Sequence, residues 1–377
     1  MARKRAAGGP KDPLLSIRGV SPEHLREERE AFFRRARRYT DYLSSPVGEG
    51  RLLVRTEDEH VGRALFAKQG RGDMKVLARS VLAASTLLGE QAIAGRTFID
   101  VGANIGSTTV TALMSHPFAD AVAIEPEPEN FRTLRLNLVL NDLDSRVRAY
   151  PLAVSNVVGE LDLVVDRAKS GNHWIAADEK ALELVGEEEV TKVQTVTLDA
   201  LAAQGAFDPD RVGLLWVDAE NHEGQILEGA LELVGRGVPV AFEWDPPGLA
   251  ARGKPDSIGE IVRAHYTHFA RLRAGGPGNE KYRLLPIEEF DPQGRVVGPA
   301  GEDRFTDILV LRLRPEQAQG VDLDAILHGS AEPAEPAPEP APAEPEPPAP
   351  PAKAGKGLKA TRLPKKTKSG PTRRGRG

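Results

Sequence analysis

The sequence predicts an α/β fold built on a mostly parallel sheet, and three observations carry that expectation. The run Thr97-Phe98-Ile99-Asp100-Val101 leads through Gly102-Ala103-Asn104-Ile105-Gly106 into Ser107-Thr108-Thr109-Val110, a strand, a tight turn and a helix start in succession. A second short apolar run, Ala121-Val122-Ala123-Ile124, ends on Glu125, at about the twenty-residue spacing that separates a phosphate or nucleoside turn from its ribose-binding acid. Strand-like and helix-like segments then alternate as far as residue 243, the pattern of parallel strands joined by helical crossovers.

Residues 1–20 carry no apolar periodicity and are expected to be disordered. Ser21 followed by Pro22 marks a helix start, with a capping hydroxyl and a proline at the first helical position. Leu25, Phe32, Ala36, Tyr39 and Leu43 then fall on one face, opposite an Arg-rich face that reads as solvated surface. Residues 51–55 and 62–67 alternate as a small hairpin would, and Asp73 is expected to cap a helix with a core stripe of Leu77, Val81, Ala84 and Leu88. Strands are expected at 97–101, 121–125, 147–150, 213–218 and 238–243, with helices near 106–115, 128–141, 197–203 and 223–235. Residues 159–165 and 191–196 alternate strongly and should add strands beside the sheet, around the loop Ser170-Gly171-Asn172-His173-Trp174. Tyr282-Arg283-Leu284-Leu285 and Asp307 to Arg312 read as a closing antiparallel pair. The expected organisation is a disordered start at 1–20, helices and a hairpin at 21–94, the ligand-binding domain at 95–315, a boundary segment at 316–330 and a disordered tail at 331–377.

Composition narrows the function. The chain of 377 residues has no cysteine, which removes disulfides, thiol nucleophiles and cysteine-held metals. It has no apolar run of membrane-spanning length and no secretory leader pattern behind its first residues, so a cytoplasmic protein is expected. The net charge of −5 is segregated. Residues 353–377 hold ten Lys or Arg and no acid, residues 331–352 hold five Glu and no base, and residues 1–330 are left with −10. An acidic body argues against a nucleic-acid substrate surface. The Ala/Glu/Pro spacer cannot bury enough apolar area to fold. The basic segment beyond it has the charge for non-specific contact with a polyanion, and otherwise serves as a solubilising tail.

Two groups of residues carry chemistry. The glycine turn lets backbone approach a ligand while the following helix points its N–H groups at it, and Glu125 can accept both hydroxyls of a ribose, so the ligand should contain a nucleoside. A hydride-transferring dinucleotide enzyme is disfavoured, because the spacing is G-x-N-x-G and no second glycine turn follows. The second group follows the fourth strand, where Asp218, Glu220, His222 and Glu223 stand close together, with Glu243 and Asp245 ending the fifth. His222 is the base candidate by intrinsic pKa, against the alternative of an exposed histidine at a helix start. Glu223 suits the positive end of the next helix. His173, beside Trp174, is a second candidate base or substrate contact. The gathered acids would suit Mg²⁺, but a metal-free role in binding substrate or orienting a neighbour is the preferred reading.

Five blocks in order, FIDVGANIGSTTV, AIEPEPENFRTLRLNLVLN, PLAVSNVVGELDL, VTLDAL and LLWVDAENHEGQILEGA with VAFEW, resemble the FkbM family of S-adenosylmethionine-dependent methyltransferases over roughly residues 70–313. The family usually reads Asp-x-Glu-Gly in the fourth-strand block, where this chain has Asp218-Ala219-Glu220-Asn221 and Gly224 only later. The resemblance implies a class I methyltransferase (Rossmann-like) sheet of seven strands with an antiparallel last strand, the cofactor S-adenosyl-L-methionine, and O-methylation of a small-molecule or glycan acceptor. With that cofactor, Glu125 would take the ribose hydroxyls, Gly102, Asn104 and Gly106 would let the backbone approach the methionine portion, and Asp100 would take the ammonium group directly or through water. By similarity Asn130 and Ala153 would lie near the adenosine. Asp218, Glu220, His222 and His173 are the catalytic candidates. A non-catalytic scaffold tethered through the basic tail is the alternative of a different class. Nucleic-acid amino-methylation is disfavoured, since Asp245-Pro246-Pro247-Gly248 lies after the fifth strand and lacks the aromatic residue of that motif.

Overall fold

The structure is a computed structural model. It describes residues 21–166, 170–176, 178–186, 188–273, 282–294, 296–297 and 303–329. The expectations for residues 1–20 and for the spacer and basic tail from 331 onward lie outside the described residues.

The chain opens with α1 (Pro22–Ala36), whose Ser21 hydroxyl accepts the His24 N–H at 3.1 Å, the cap read from the sequence. The buried face differs from the expected one. Phe33 is fully buried while Phe32 is half exposed and stacks on Phe66, and Tyr39 lies beyond the helix, 85% exposed. The hairpin is also elsewhere: β1 (Tyr42–Val47) pairs antiparallel with β2 (Gly50–Arg55). Residues expected as its second strand form α2 (Val61–Lys68). The reason is Asp58, whose carboxylate accepts the N–H groups of His60 and Val61 at 3.0 Å and Gly62 at 2.8 Å and so nucleates a helical turn. Next comes α3 (Gly72–Leu88), which buries Leu77, Val81 and Ala84 as expected. Asp73 lies inside its first turn rather than capping it, taken up by Arg71 at 2.8 Å and Arg273 at 2.6 Å.

The α/β core then runs β3 (Thr97–Val101), α4 (Ser107–Ser115), β4 (Asp120–Ile124), α5 (Pro128–Leu140) and β5 (Val147–Tyr150). A small second sheet follows, made of β6 (Ala153–Val154), β7 (Gly159–Val165), β8 (Trp174–Ala176) and, after the short α6 (Glu179–Leu182), β9 (Glu189–Val196). The two alternating segments do pair with each other as β7 and β9, but in this separate sheet of order β6-β9-β7-β8. The chain returns through α7 (Leu198–Ala203) to β10 (Val212–Val217). The expected single helix after it is two, α8 (Glu223–Glu228) and α9 (Leu231–Arg236). They break at Gly229, where a Cβ would stand 2.2 Å from the Ser155 carbonyl oxygen. Then come β11 (Val240–Trp244), α10 (Pro246–Arg252), α11 (Pro255–His265), β12 (His268–Arg271), β13 (Leu284–Pro286), the two-residue strands β14 (Val296–Val297) and β15 (Asp303–Arg304), and β16 (Thr306–Leu311).

The main sheet has eight strands in the order β13-β12-β16-β11-β10-β3-β4-β5. Strands β5, β4, β3, β10 and β11 are parallel, and β16 enters antiparallel between β11 and β12. Without the edge strand β13 this is the seven-stranded class I methyltransferase order, with the antiparallel last strand inserted next to its end. The expected closing pair is corrected: β13 and β16 do not touch, because β12, weakly patterned in the sequence, lies between them. Both faces are covered, as a parallel sheet requires. Phe98, Ala121, Leu214 and Leu309 face α3, α4 and α5, while their neighbours Ile99, Val122, Leu215 and Val310 face α8, α9 and α11. The last helices, α12 (Pro315–Ala318) and α13 (Leu323–Gly329), pack against α3 with Leu323 buried, so the stretch read as a boundary segment belongs to the folded body. Among the described residues no helix is long and apolar enough to cross a membrane.

Candidate active site

From β3 the chain winds outward through β4 and β5, then crosses back to lay β10 on the other side of β3. Ligands of open α/β sheets bind beyond the carboxyl ends of the strands at such a reversal. Here that point holds the glycine turn after β3 and Asp218 after β10. Gly102 has φ +81°, and a Cβ on it would lie 1.9 Å from the Asp218 carbonyl oxygen, so only glycine lets the two strand ends close up. Asn104 takes φ +50°, a left-handed position that Asn tolerates. Gly106 is the N-cap of α4 at φ +86° and packs against Leu134 outside the cleft.

The turn is tied to the neighbouring strand by Glu125. Its Oε2 accepts the Asn104 N–H and its Oε1 the Glu127 N–H, both at 2.8 Å. These bonds orient the buried carboxylate and leave further lone pairs for ligand hydroxyls. Burial pushes its pKa up to about 8, against the pull of the two N–H groups. Asp100 is fully buried beneath the turn. Its Oδ2 accepts the Thr109 hydroxyl, its Oδ1 has no partner among the described residues, and burial raises it to about 7. It does not line the cleft, so the expected contact with an ammonium group has no direct geometry here.

The cleft lies at the carboxyl ends of β3, β4 and β10. It brings together nine of the eleven cofactor-binding and catalytic candidates: Gly102, Asn104, Glu125, Asn130, Ala153, His173, Asp218, Glu220 and His222. Leu152, Leu163, Ile175 and Ile226 supply its apolar lining. The sequence reading missed one wall, Ser170 and Gly171, as part of the site. The Ser170 carbonyl accepts the side-chain amides of Asn104 at 2.9 Å and Asn130 at 3.1 Å. Its hydroxyl donates to Asp58 at 2.6 Å, 112 residues away in the chain. No local pattern announces such a contact.

The second half of the site follows β10. Glu220 and Asn221 are successive left-handed residues, φ +50° and +77°. The departure from Asp-x-Glu-Gly therefore keeps the backbone form that glycine would give, using a residue that tolerates it. Glu223 holds this turn, its Oε1 accepting the N–H groups of Ala219 at 3.2 Å and Asn221 at 3.3 Å. Asp218, Glu220 and Glu243 each offer a carboxylate oxygen, all within 4.8 Å of one another. Among the described residues this is the one group able to hold a metal ion. Burial lifts Asp218 and Glu243 well above the carboxylate range, helped at Asp218 by repulsion from Asp73 and Glu220 and at Glu243 by repulsion from Asp218 and Glu220, and burial lifts Glu220 to about 7. His222 is buried, not an exposed helix-start residue, and its Nε2 meets the Ser155 hydroxyl at 3.0 Å. Burial, helped by Lys254, lowers its pKa to about 4, so it is neutral and a weak proton acceptor at neutral pH. His173 accepts the Asp166 N–H at its Nδ1, 3.1 Å. Beside it, Trp174 carries the Arg252 guanidinium over its ring at 5.1 Å.

A family model described as a methyltransferase FkbM domain matches residues 100–270. The chain is 31% identical over 178 residues to methyltransferase sdnD of Sordaria araneosa, covering 40% of this chain and 67% of that one. It is 28% identical over 191 residues to 31-O-demethyl-FK506 methyltransferase FkbM of Streptomyces tacrolimicus, covering 44% and 72%. Among solved structures it is similar to a methyltransferase FkbM from Methylobacillus flagellatus, with TM-score 0.34, 13% identity and coverage of 60% and 47%. It is also similar to an O-methyltransferase from Bacillus cereus in complex with SAH, with TM-score 0.34, 14% identity and coverage of 62% and 80%.

Proposed function

Because the chain belongs to the FkbM methyltransferase family and takes its methyl group from S-adenosylmethionine, we propose that it methylates a hydroxyl oxygen of a small molecule or glycan. The observation that supports this reading is the carboxylate group Asp218, Glu220 and Glu243 at the ends of β10 and β11, next to the glycine turn. Carboxylates can accept hydrogen bonds from acceptor hydroxyls, and one whose pKa is raised toward neutrality is matched to take a hydroxyl proton. In the proposed step the acceptor oxygen attacks the methyl carbon in line with the sulfur. The carbon–sulfur bond breaks with its electron pair left on sulfur, and the hydroxyl proton passes to a carboxylate. Much of the rate comes from holding the three atoms in line.

Asp218 is the proposed base, since it joins the turn directly, and Glu220 and Glu243 bind the acceptor. His222 holds Ser155 and shapes the wall. Glu125 takes the ribose hydroxyls, Asn130 and Ala153 border the adenosine, and Gly102 and Asn104 border the methionine portion. The three carboxylates also suit a divalent cation, and retention of turnover in EDTA is the outcome the metal-free reading expects. Incubating the enzyme with cell extract and S-adenosylmethionine, then finding by mass spectrometry a product heavier by one methylene, tests the reaction. Methylation on nitrogen or carbon would overturn it. A scaffold without turnover finds no support among the relatives, both of which carry methyltransferase names. For the basic segment 353–377 we infer salt-sensitive attraction to polyanions, supported by its ten uncompensated positive charges. No binding to RNA or anionic vesicles even at low salt would reduce it to a solubilising tail.

A further inference from the structure

The cleft wall at Ser170 and Gly171 is joined to the N-terminal part of the chain by contacts that the reaction itself does not need. Asp58 is buried and accepts four donors, the N–H groups of His60, Val61 and Gly62 and the Ser170 hydroxyl. Three of these would suffice to start α2. The fourth ties that helix to the cleft. Gly171 sits directly on the same helix, where a Cβ would lie 2.9 Å from Val61 Cγ2 and 3.5 Å from His60 Nδ1. On the other side of the strap, the Ser170 carbonyl is held by Asn104 of the glycine turn and Asn130 of α5. Asn104 in turn gives its N–H to Glu125, and Asn130 gives its N–H to Glu127 at 2.6 Å. A single residue thus connects α2, the glycine turn and the ribose-binding carboxylate.

We propose that Ser170 is a positioning residue for the cofactor, a pin through which Asp58 holds the 170–173 strap as a preformed wall of the cleft. The inference rests on the cleft being the S-adenosylmethionine site. A wall ordered before binding costs nothing to order when the ligand enters, and it resists opening when the ligand leaves. The Ser170–Asp58 bond, 2.6 Å long, ties the strap to the start of α2, and its loss frees the strap while the three N–H bonds to Asp58 keep α2 in place.

The test is the release rate of S-adenosylhomocysteine from the full chain, by stopped-flow tryptophan fluorescence, in wild type, Ser170→Ala and Ser170→Thr. Calorimetry on the wild type comes first, and failure to bind S-adenosylhomocysteine would remove both the cofactor reading and this inference. With binding established, Ser170→Ala should release the ligand about tenfold faster and bind it correspondingly weaker, about 1.4 kcal/mol. Its melting temperature without ligand should stay near wild type, and Ser170→Thr, which keeps the hydroxyl, should restore slow release. Gly171→Ala, which presses the strap away from Val61, should mimic Ser170→Ala. Release within twofold of wild type in both Ser170→Ala and Gly171→Ala would overturn the pin. So would a Ser170→Ala protein that melts earlier without ligand yet releases it at the wild-type rate, the mark of a merely structural bond.

Discussion

The Glu125 carboxylate accepts the backbone N–H of Asn104 at 2.8 Å, so the acid that ends β4 and the turn that ends β3 are held as one piece. Gly102, two residues earlier, closes that piece onto the end of β10. The glycine-turn half and the carboxylate half of the cleft therefore share one backbone junction, and its glycine should be sensitive. Gly102→Ala meets both a left-handed φ and a 1.9 Å approach to the Asp218 carbonyl. It should lose about 2 kcal/mol or more of stability in denaturant unfolding. Gly70→Ala, where nothing among the described residues lies within 4 Å, should change stability by no more than about 0.5 kcal/mol.

Asn221 offers the complementary test. At φ +77° glycine should be accepted, and Asn221→Gly should keep stability within about 1 kcal/mol. Asn221→Val forces a β-branched residue into the left-handed region and should cost about 2 kcal/mol, read from the same unfolding curves. Equal behaviour of the two variants would show that the backbone form is not what matters there.

Turnover should separate from cofactor binding at Asp218. Asp218→Asn should slow methyl transfer by about a hundredfold or more, the scale of a lost general base. Its affinity for S-adenosylmethionine should stay within about tenfold, or 1.4 kcal/mol, by calorimetry. Parallel loss of both would move Asp218 into the cofactor site.

The buried acids set a pH dependence with a definite sign. Asp100, Glu220 and Glu223 are raised to about 7 and Glu125 to about 8, mainly by burial. Between pH 6.5 and 8.5 the folded protein sheds these protons while the unfolded chain has already lost them, so stability falls as pH rises. His222, lowered to about 4, is neutral in both states across most of this window and contributes little. The ligand-free protein should melt at a lower temperature at pH 8.5 than at pH 6.5, and Glu125→Gln should flatten the difference.

The parts legible in the sequence were those written in neighbouring residues. The strand–turn–helix at 97–110 and the acid ending β4 are local patterns, and both stand where they were expected. The pattern of Ala64, Phe66 and their neighbours suits either a strand or a helix, and the carboxylate of Asp58 decides for α2. Strand β12 escaped notice because four residues carry little periodicity, yet it separates β13 from β16. The face of α1 was displaced by one residue, from Phe33 to Phe32, since both are apolar and only packing chooses. The Ser170 wall depends on partners 66, 40 and 112 residues away, which no window on the sequence brings together.

The central proposal is that Glu125 is the ribose acid of an S-adenosylmethionine site. Calorimetric titration of wild type and Glu125→Ala with S-adenosylmethionine measures this without any knowledge of the acceptor. The wild type should bind, and the variant should bind about 1.5–3 kcal/mol more weakly, the scale of hydrogen bonds to a charged group. Unchanged affinity in Glu125→Ala, or a wild type that ignores S-adenosylmethionine and binds NAD instead, would contradict it.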